Sequence, residues 1–490
     1  MLASCRLAAL LRPSRARLAS SAASVVRPRI DFERLLAAKS DLAAELSARF
    51  PNREPEFLGK QVEVVVTLRE RQLQLLREAQ DLRQERNAIA KANKGVKGKP
   101  SQESLDRGRE LKSRISDIES ELAAVQKNLD ELTMHLPNWL DPRGPRRGET
   151  AAQLGLKEED HGEGVIVRER SEPMPQFDFD IKDHVTLGES LDIVDFKSPV
   201  KSSGPRFASL KNEGALLELG LAQWILGKLY KELKFSPTLT PDLVQRDVLE
   251  ACGFQPRDDS SHVYQAYNHT PDHRDAELCL AGTSEVALAG SRMGKVYRSG
   301  LPERLAGFSH CFRAEAGGGG AMNRGLYRLH QFSKAEMFVF SHPDHSEAEL
   351  DRLVCIQESI CDQLGLHWRT IDMYPDELGN PAARKYDVQV YIPSRGAYGE
   401  VASLSNCTDY QARRLDIRYV DPETQERGFV HTLNGTAVAI PRVILALIET
   451  HQQPDGTVKI PECLHPFLPF DTLHPSFEPV IDENLEKIDE

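Results

Sequence analysis

The sequence predicts an α+β chain, an N-terminal antiparallel helical hairpin followed by a body in which strands and helices alternate. Three observations carry this. Apolar residues recur at heptad spacing over two long stretches, a short Gly/Pro/Lys turn separates those stretches, and from about residue 190 short apolar runs alternate with helix-length segments. At 490 residues there is chain enough for two or three domains and a sizeable core.

Residues 1–28 differ from all that follows. Arg6, Arg12, Arg15, Arg17 and Arg27 stand among Ala, Leu and Ser, and the first acidic residue is Asp31. An arginine- and serine-rich, acid-free start has the composition of a mitochondrial transit peptide, so a mitochondrial matrix location is expected; the plainer alternative is a basic tail.

The arm is expected over 29–140. Between Phe57 and Ala92, Leu68, Leu75, Leu82 and Ile89 recur every seventh residue, with no proline and only Gly59 to interrupt. After a turn at Gly95 to Pro100 a second heptad follows: Leu111, Ile115, Ile118, Leu122, Val125, Leu129 and Leu132. Two such helices joined by a short turn form a coiled-coil hairpin. At 1.5 Å per residue, ~35 residues make a rod of roughly 50 Å. Arg83, Arg86, Lys91, Lys94, Lys97, Lys99, Arg107 and Arg109 crowd its tip and outer faces. Cations on a projecting rod can follow a phosphate backbone and read RNA by shape. Interleaved Glu70, Glu78, Asp81 and Glu85 leave a solvated coiled-coil surface equally open.

Leu136-Pro137-Asn138-Trp139-Leu140-Asp141-Pro142 ends the hairpin, because proline stops a helix and biases its predecessor to extended backbone. Residues 141–180, rich in Pro, Gly and charge, read as a linker, 181–470 as the body and 471–490 as an acidic tail. In the body, Met337 to Phe340, Val388 to Ile392 and Phe429 to Leu433 are the clearest strand-like runs, suiting a mixed sheet flanked by helices.

Composition excludes some classes of function. A net charge of −12 leaves any RNA contact to a local basic surface. No apolar run approaches the ~20 residues of a membrane span. The eight cysteines are scattered without a Cys-x-x-Cys pair, which argues against a disulfide scaffold or thiolate zinc site.

Chemistry concentrates between Phe312 and Glu336. Phe312-Arg313-Ala314-Glu315 precedes a glycine run, Gly317 to Gly320, and Gly325-Leu326-Tyr327-Arg328-Leu329-His330-Gln331-Phe332 follows, with Glu336 beyond. This reads as strand, glycine-rich loop, strand. Arginine supplies planar, permanently charged donors for phosphate or carboxylate, and an aromatic ring can stack on a purine. The glycine run is not a P-loop, since no Gly-x-x-x-x-Gly-Lys-Ser/Thr pattern is present.

This segment resembles motif 2 of the class II aminoacyl-tRNA synthetases, in the wording of the seryl-tRNA synthetases. A second block, His431-Thr432-Leu433-Asn434-Gly435-Thr436-Ala437-Val438-Ala439 followed by Pro441-Arg442, resembles their motif 3. The resemblance runs from about Arg29 to Phe467. It implies a catalytic body on an antiparallel sheet flanked by helices, an arm that grips tRNA(Ser), and a homodimer. The dimer element would be motif 1, with Ala215 to Leu233 as its helix and Pro241 as the proline opening the next strand.

The activity implied is serine–tRNA ligation, in which L-serine is activated by ATP to seryl-adenylate and passed to the 3′ end of the tRNA. The attacking carboxylate is ionised at neutral pH, so no general base is needed, and His330 reads as an ordinary strand residue. What is needed is in-line positioning of two anions and neutralisation of charge at phosphorus. By the resemblance, Arg313, Glu336 and Arg442 are the catalytic residues. Arg313 would bridge the serine carboxylate and α-phosphate, and Glu315 with Ala314 would meet the adenine end. Phe332 would stack on adenine in a pocket shared with Leu326, Tyr327, Arg328 and Leu329, and Arg442 would cover the other face and reach the γ-phosphate.

Glu400, in Glu400-Val401-Ala402-Ser403, matches the carboxylate that holds Mg2+ on the ATP phosphates, with Ser403 as helper. No zinc is implied, because no cysteine stands at a matching ligand triad. Serine selection falls to Thr283, Ser284, Glu285, Arg313, Glu336, Asn434 and Thr436. A pocket that hydrogen-bonds a hydroxyl rejects alanine by leaving buried partners unpaired, whereas threonine must be refused sterically. Two other classes of function compete. A carrier-protein-charging relative would have no use for the long basic arm, and a silent paralogue acting as an RNA-binding or scaffold protein would not need Arg313, Glu336, Glu400, Thr436 and Arg442 together.

Overall fold

The computed structural model describes residues 30–37, 39–53, 55–95, 101–134, 136–147, 162–254, 263–266, 278–315 and 324–476. The arginine-rich start, Lys97, Lys99, the Gly317–Gly320 run and residues 477–490 lie outside them.

Two helices form the arm, α1 (Pro55–Gly95) and α2 (Gln102–Met134). The 41 residues of α1 make a rod of about 60 Å. Its seam follows the heptads: Leu75, Ala79 and Ile118 bury against one another with Leu82, Leu122 and Val125 alongside. Nearer the base Val62, Val65, Val66 and Leu129 close over Leu35 and Leu46, which come from the short helices Phe32–Ala37 and Lys39–Arg49. The last heptad residue departs from expectation. Leu132 is exposed, and the seam position is taken by Thr133, fully buried because its hydroxyl donates to the Leu129 carbonyl at 2.6 Å.

The body is an eight-stranded sheet: β1 Gly164–Glu169, β2 Ser236–Leu239, β3 Glu303–Phe312, β4 Gln331–Ser341, β5 Trp368–Met373, β6 Arg384–Ile392, β7 Ala397–Asn406 and β8 His431–Ala439. Their order is β1-β5-β6-β7-β8-β4-β3-β2. Every pair is antiparallel except β2, which lies parallel to β3 at the edge. Packed on the sheet are α3 (Glu213–Lys231), α4 (Ser346–Gln363) and α5 (Ile440–Thr450). One continuous core joins them, with Leu221 and Ile225 of α3, Leu353 and Val354 of α4, and Ile444 and Leu447 of α5 against Met337, Val388 and Leu404 of the sheet.

Three expected boundaries shift. β1 falls inside the stretch read as linker; six residues ending in Arg-Glu are too short to announce a strand, and pairing with β5 supplies what propensity does not. Thr472–Leu473, read as the start of the acidic tail, pairs with Val458–Lys459. Pro241 does not open the strand after α3: β2 has already ended at Leu239, and the proline stands between it and the short strand Leu243–Gln245.

The seam predicts its own weak point. Leu75→Ala should cost the arm about 2–4 kcal/mol through lost burial and the cavity left behind. Hydrogen exchange should then quicken along α1 and α2 while the sheet amides hold their protection.

Candidate active site

The central strand β4 carries Phe332, Lys334 and Glu336 at alternate positions, hence on one face. β3 delivers Arg313 just past its end, where two contacts with His330 hold the backbone: the Arg313 N–H donates to the His330 carbonyl (2.9 Å), and His330 Nδ1 lies 2.8 Å from the Arg313 carbonyl. The guanidinium sits over the Phe332 ring at 5.2 Å.

Two bulges turn the neighbouring strands toward the same face. In β7, Gln389 pairs with Glu400 and Val388 with Ala402, so Val401 is the extra residue. Plain alternation would group Glu400 with Ala402, but the bulge groups it with Ser403 and Ser405 on the cleft. In β8, Ala335 pairs with Val438 and Glu336 with Thr436, so Ala437 is extra, and both Thr436 and Ala439 reach the cleft.

Two cavities result. One is lined by Arg313, Glu315, Tyr327, Arg328, Phe332 and Arg442, with Leu326, Leu329 and Val401 also in its wall. The other, of about 380 Å³, is lined on one side by Thr283, Glu285, Glu336, Asn434 and Ser403. They share Arg313, Lys334, Glu400 and Thr436. An aromatic, arginine-rich chamber thus meets a chamber of hydroxyls and carboxylates across a wall of two cations, one carboxylate and one hydroxyl.

Arg442, at the start of α5, donates from Nη1 to the Glu400 carbonyl (2.9 Å) and from Nε to the Tyr327 carbonyl (3.2 Å), and its guanidinium lies 4.6 Å over the Tyr327 ring. Burial works against its charge, but Glu400, 3.2 Å away, more than offsets this and holds the guanidinium above its ordinary pKa. Burial would likewise raise Glu400, yet Arg442 and Lys385 outweigh it and keep the carboxyl below its ordinary value. Far along α5, Glu449 accepts from the His184 N–H (2.8 Å) and the Ser394 N–H (3.0 Å). The His184 ring leaves no space for a Cβ at Gly325, whose φ of +67° opens the Gly325–Tyr327 turn.

In the second cavity Lys334 Nζ is 2.5 Å from Glu336 and donates to the Thr283 hydroxyl at 2.9 Å, while Thr436 donates to Glu336 at 3.3 Å. Glu285 accepts from Gln411 at 2.6 Å. Burial lifts its carboxyl to about 7, the Glu336 charge adding to the rise and Gln411 opposing it. Beside Glu400 stands Asp387, lifted by burial to about 6 against the pull of Lys385, with Oδ1 buried and unpartnered. The Ser403 hydroxyl lies 3.3 Å from Glu400 Oε1. One carboxylate and one hydroxyl facing the cleft, with a buried carboxylate behind them, form an oxygen donor set suited to a magnesium ion that keeps most of its coordination for phosphate and water.

Most residues expected from the sequence meet here, but three do not present side chains to either cavity. Ser284 is buried against Gly307 of β3 and Ala402 packs into the core beneath β7, while Ala314 lines neither cavity. On the arm, Arg83 pairs with Glu119 and Arg107 with Glu85, both bridging the two helices, and Arg109 pairs with Asp106. Arg86, Lys91 and Lys94 stand exposed. Lys334, Lys385, Asp387 and Gln411 were missed. Lys334 was legible in principle, since a strand that places Phe332 and Glu336 in one cleft must place Lys334 there too.

Comparison with known proteins agrees with this geometry along most of the chain. The family description "Seryl-tRNA synthetase N-terminal domain" matches residues 35–140, and "tRNA synthetase class II core domain (G, H, P, S and T)" matches 267–451. A serine–tRNA ligase of Treponema denticola is 39% identical over 426 residues, covering 86% of this chain and 96% of the relative. One of Rubrobacter xylanophilus is 41% identical over 417 residues, covering 85% and 93%. Among solved structures, a Pyrococcus horikoshii seryl-tRNA synthetase complexed with ATP superposes with a TM-score of 0.80 at 32% identity, covering 91% of this chain and 100% of that one.

The raised Glu285 carboxyl predicts a pH signature. Folding holds its proton tighter than the unfolded chain does, so its contribution is fully present below about pH 4.5 and is lost as pH rises through about 7. Glu285→Gln keeps the acceptor for Gln411 and removes this loss. Its stability relative to the parent should grow between pH 4.5 and about 7, by up to ~3 kcal/mol, and then level off. Melting temperatures across that range measure it; a pH-independent difference would contradict the assignment.

Proposed function

Because this chain belongs to the seryl-tRNA synthetases and is an ATP-dependent serine–tRNA ligase, we propose that its two joined cavities divide the substrates between them, ATP in the aromatic chamber and serine in the carboxylate chamber, in the service of mitochondrial translation. The observation that carries this is the shared wall. Arg313 and Lys334 stand where the two chambers meet, which is where an amino-acid carboxylate must approach an α-phosphate.

Adenine stacks between Phe332 and the Arg442 guanidinium, and Glu315, held by Arg328 at 3.3 Å, faces its edge. Arg313 pairs with the serine carboxylate and α-phosphate together, setting the oxygen in line with phosphorus. The P–O bond to pyrophosphate breaks as the new bond forms, and the arginines hold the charge that gathers on the phosphoryl oxygens. Lys334 adds a second fixed cation at that junction. Glu336 receives the serine ammonium and, with Thr436 and Asn434, its hydroxyl. Glu400 and Ser403 would hold Mg2+, which when bound supplies further charge neutralisation on the phosphates. The 380 Å³ of the serine chamber, within the ~300–1,000 Å³ typical of pockets for much larger ligands, leaves room for the 3′ end of tRNA(Ser) to reach the adenylate.

The chain is proposed to act as a homodimer through α3 and the edge strand β2. Leu219 is 64% exposed, Tyr230 60% and Leu239 78%, an apolar face on an open sheet edge. The exposed cations of the arm, Arg86, Lys91 and Lys94, are the proposed contacts for the tRNA backbone.

Protein beginning near Arg29 should exchange pyrophosphate into ATP with serine and not with threonine, alanine or glycine. Arg313→Ala should lower that exchange by roughly 10²–10³-fold, and folded, RNA-binding protein without exchange would support the silent-paralogue reading instead. For location, residues 1–28 fused ahead of a fluorescent reporter should carry it into mitochondria; a reporter left in the cytosol would overturn the mitochondrial assignment.

A further inference from the structure

The wall of the larger cavity does not belong to the sheet alone. Gly379, Asn380, Pro381 and Ala382 line it, with Cys407 beside them. All four consecutive carbonyls of that turn accept hydrogen bonds from just two residues of the N-terminal domain. Arg49, the last residue of the helix Lys39–Arg49, donates from Nη1 to Gly379 (3.2 Å) and from Nη2 to Ala382 (2.6 Å). The Asn138 backbone N–H donates to Asn380 at 2.7 Å. Its carboxamide nitrogen donates to Pro381 (2.8 Å) and to Cys407 (2.8 Å), with the Thr408 hydroxyl at 2.9 Å. The Asn138 Oδ1 accepts from the Trp139 N–H at 2.9 Å, which fixes the orientation of the amide. Arg49 is 4% exposed and Asn138 6%.

A second route runs from the same base. Arg414 Nη2 donates to the carbonyls of Thr133 (3.5 Å) and Leu136 (3.4 Å) at the end of the hairpin. Arg414 lies on the short helix Tyr410–Leu415, whose Gln411 holds Glu285 in the serine chamber. Contacts that merely dock one domain on another need not converge on a substrate cavity. These do: a buried guanidinium and a buried carboxamide end on its wall, and the adjoining helix ends on its carboxylate.

We propose that Arg49 and Asn138 are positioning residues for the serine and acceptor side of the site, so that the seat of the arm sets the shape of that chamber and leaves the ATP chamber unaffected. This rests on the division of substrates proposed above. The turn has one internal hydrogen bond, from the Ala382 N–H to the Gly379 carbonyl at 3.1 Å. The carbonyls of Asn380, Pro381 and Ala382 are satisfied from the N-terminal domain, so their place depends on those donors. Removing them exposes buried acceptors that must rearrange.

The test is steady-state pyrophosphate exchange on the full body and arm, with serine and ATP varied separately. Asn138→Ala should raise the KM for serine roughly tenfold and leave the KM for ATP within about twofold. Arg49→Lys keeps the cation but cannot span both carbonyls, and should give the same split at about threefold; it carries the test if Asn138→Ala does not fold. Variants that melt lower with both KM values unchanged, or with both raised together, would overturn the positioning role and leave the contacts purely structural. An unsubstituted protein that shows no serine-dependent exchange would overturn the substrate division as well, which separates the two failures.

Discussion

The chemistry of this molecule depends on the pairing of one strand. β4 lies between β3 and β8, and its register with each fixes which residues look into the cleft. Because strand alternation has a period of two, a slip of one residue would send Phe332, Lys334 and Glu336 into the core and bring Ser333 and Ala335 out. The core forbids this. Met337, Val339 and Ala335 on the opposite side are fully buried among the side chains of α3, α4 and α5, and they would have to face water. Hydrophobic burial on one side of the sheet therefore holds the charged side in place, and the bulges at Val401 and Ala437 add the remaining groups without disturbing that register.

The same arrangement explains the electrostatics. Glu285 and Glu336 share one buried chamber, where burial and then the Glu336 charge raise the Glu285 carboxyl; Lys334 pairs with Glu336 and donates to Thr283, and Gln411 gives Glu285 a donor. On the other side of the shared wall, Glu400 keeps its charge because Arg442 and Lys385 face it. One half of the site thus holds a carboxylate near neutrality and the other a carboxylate well ionised, a difference set by neighbours. The second environment suits a group that faces phosphate and a divalent ion.

The sequence made the fold class legible because its strongest signals are periodic. Heptads gave the hairpin and its seam, and the motif wording gave Arg313, Glu315, Phe332, Glu336, Glu400, Thr436 and Arg442 as a set. Single-residue outcomes decided by tertiary pairing stayed hidden. β1 has too few residues to stand out and exists because β5 offers it an edge. Leu132 loses its seam position to a threonine that satisfies its own hydroxyl. Ser284 carries the right chemistry for a serine pocket, yet the adjoining helix turns it onto Gly307. Asp387 and Gln411 belong to motifs only through their neighbours in space, which no spacing along the chain reveals.

The position of α5 shows how such an assembly keeps its precision. Arg442 stands at one end of the helix and Glu449 seven residues on, near the other. Glu449 binds the backbone of His184 and of Ser394, and His184 in turn closes the space around Gly325. Arg395, next to Ser394, and Arg442 lie over the same ring, Tyr327, at 4.4 and 4.6 Å. The helix is thus pinned at both ends to the turn that forms one wall of the aromatic chamber. A rigid apolar rod buried along its length, fixed by a charge at each end, converts core packing into the placement of one guanidinium. That is how a hydrophobic interior specifies a distance between polar groups, and it is why the arginine needs no loop of its own to find the cleft.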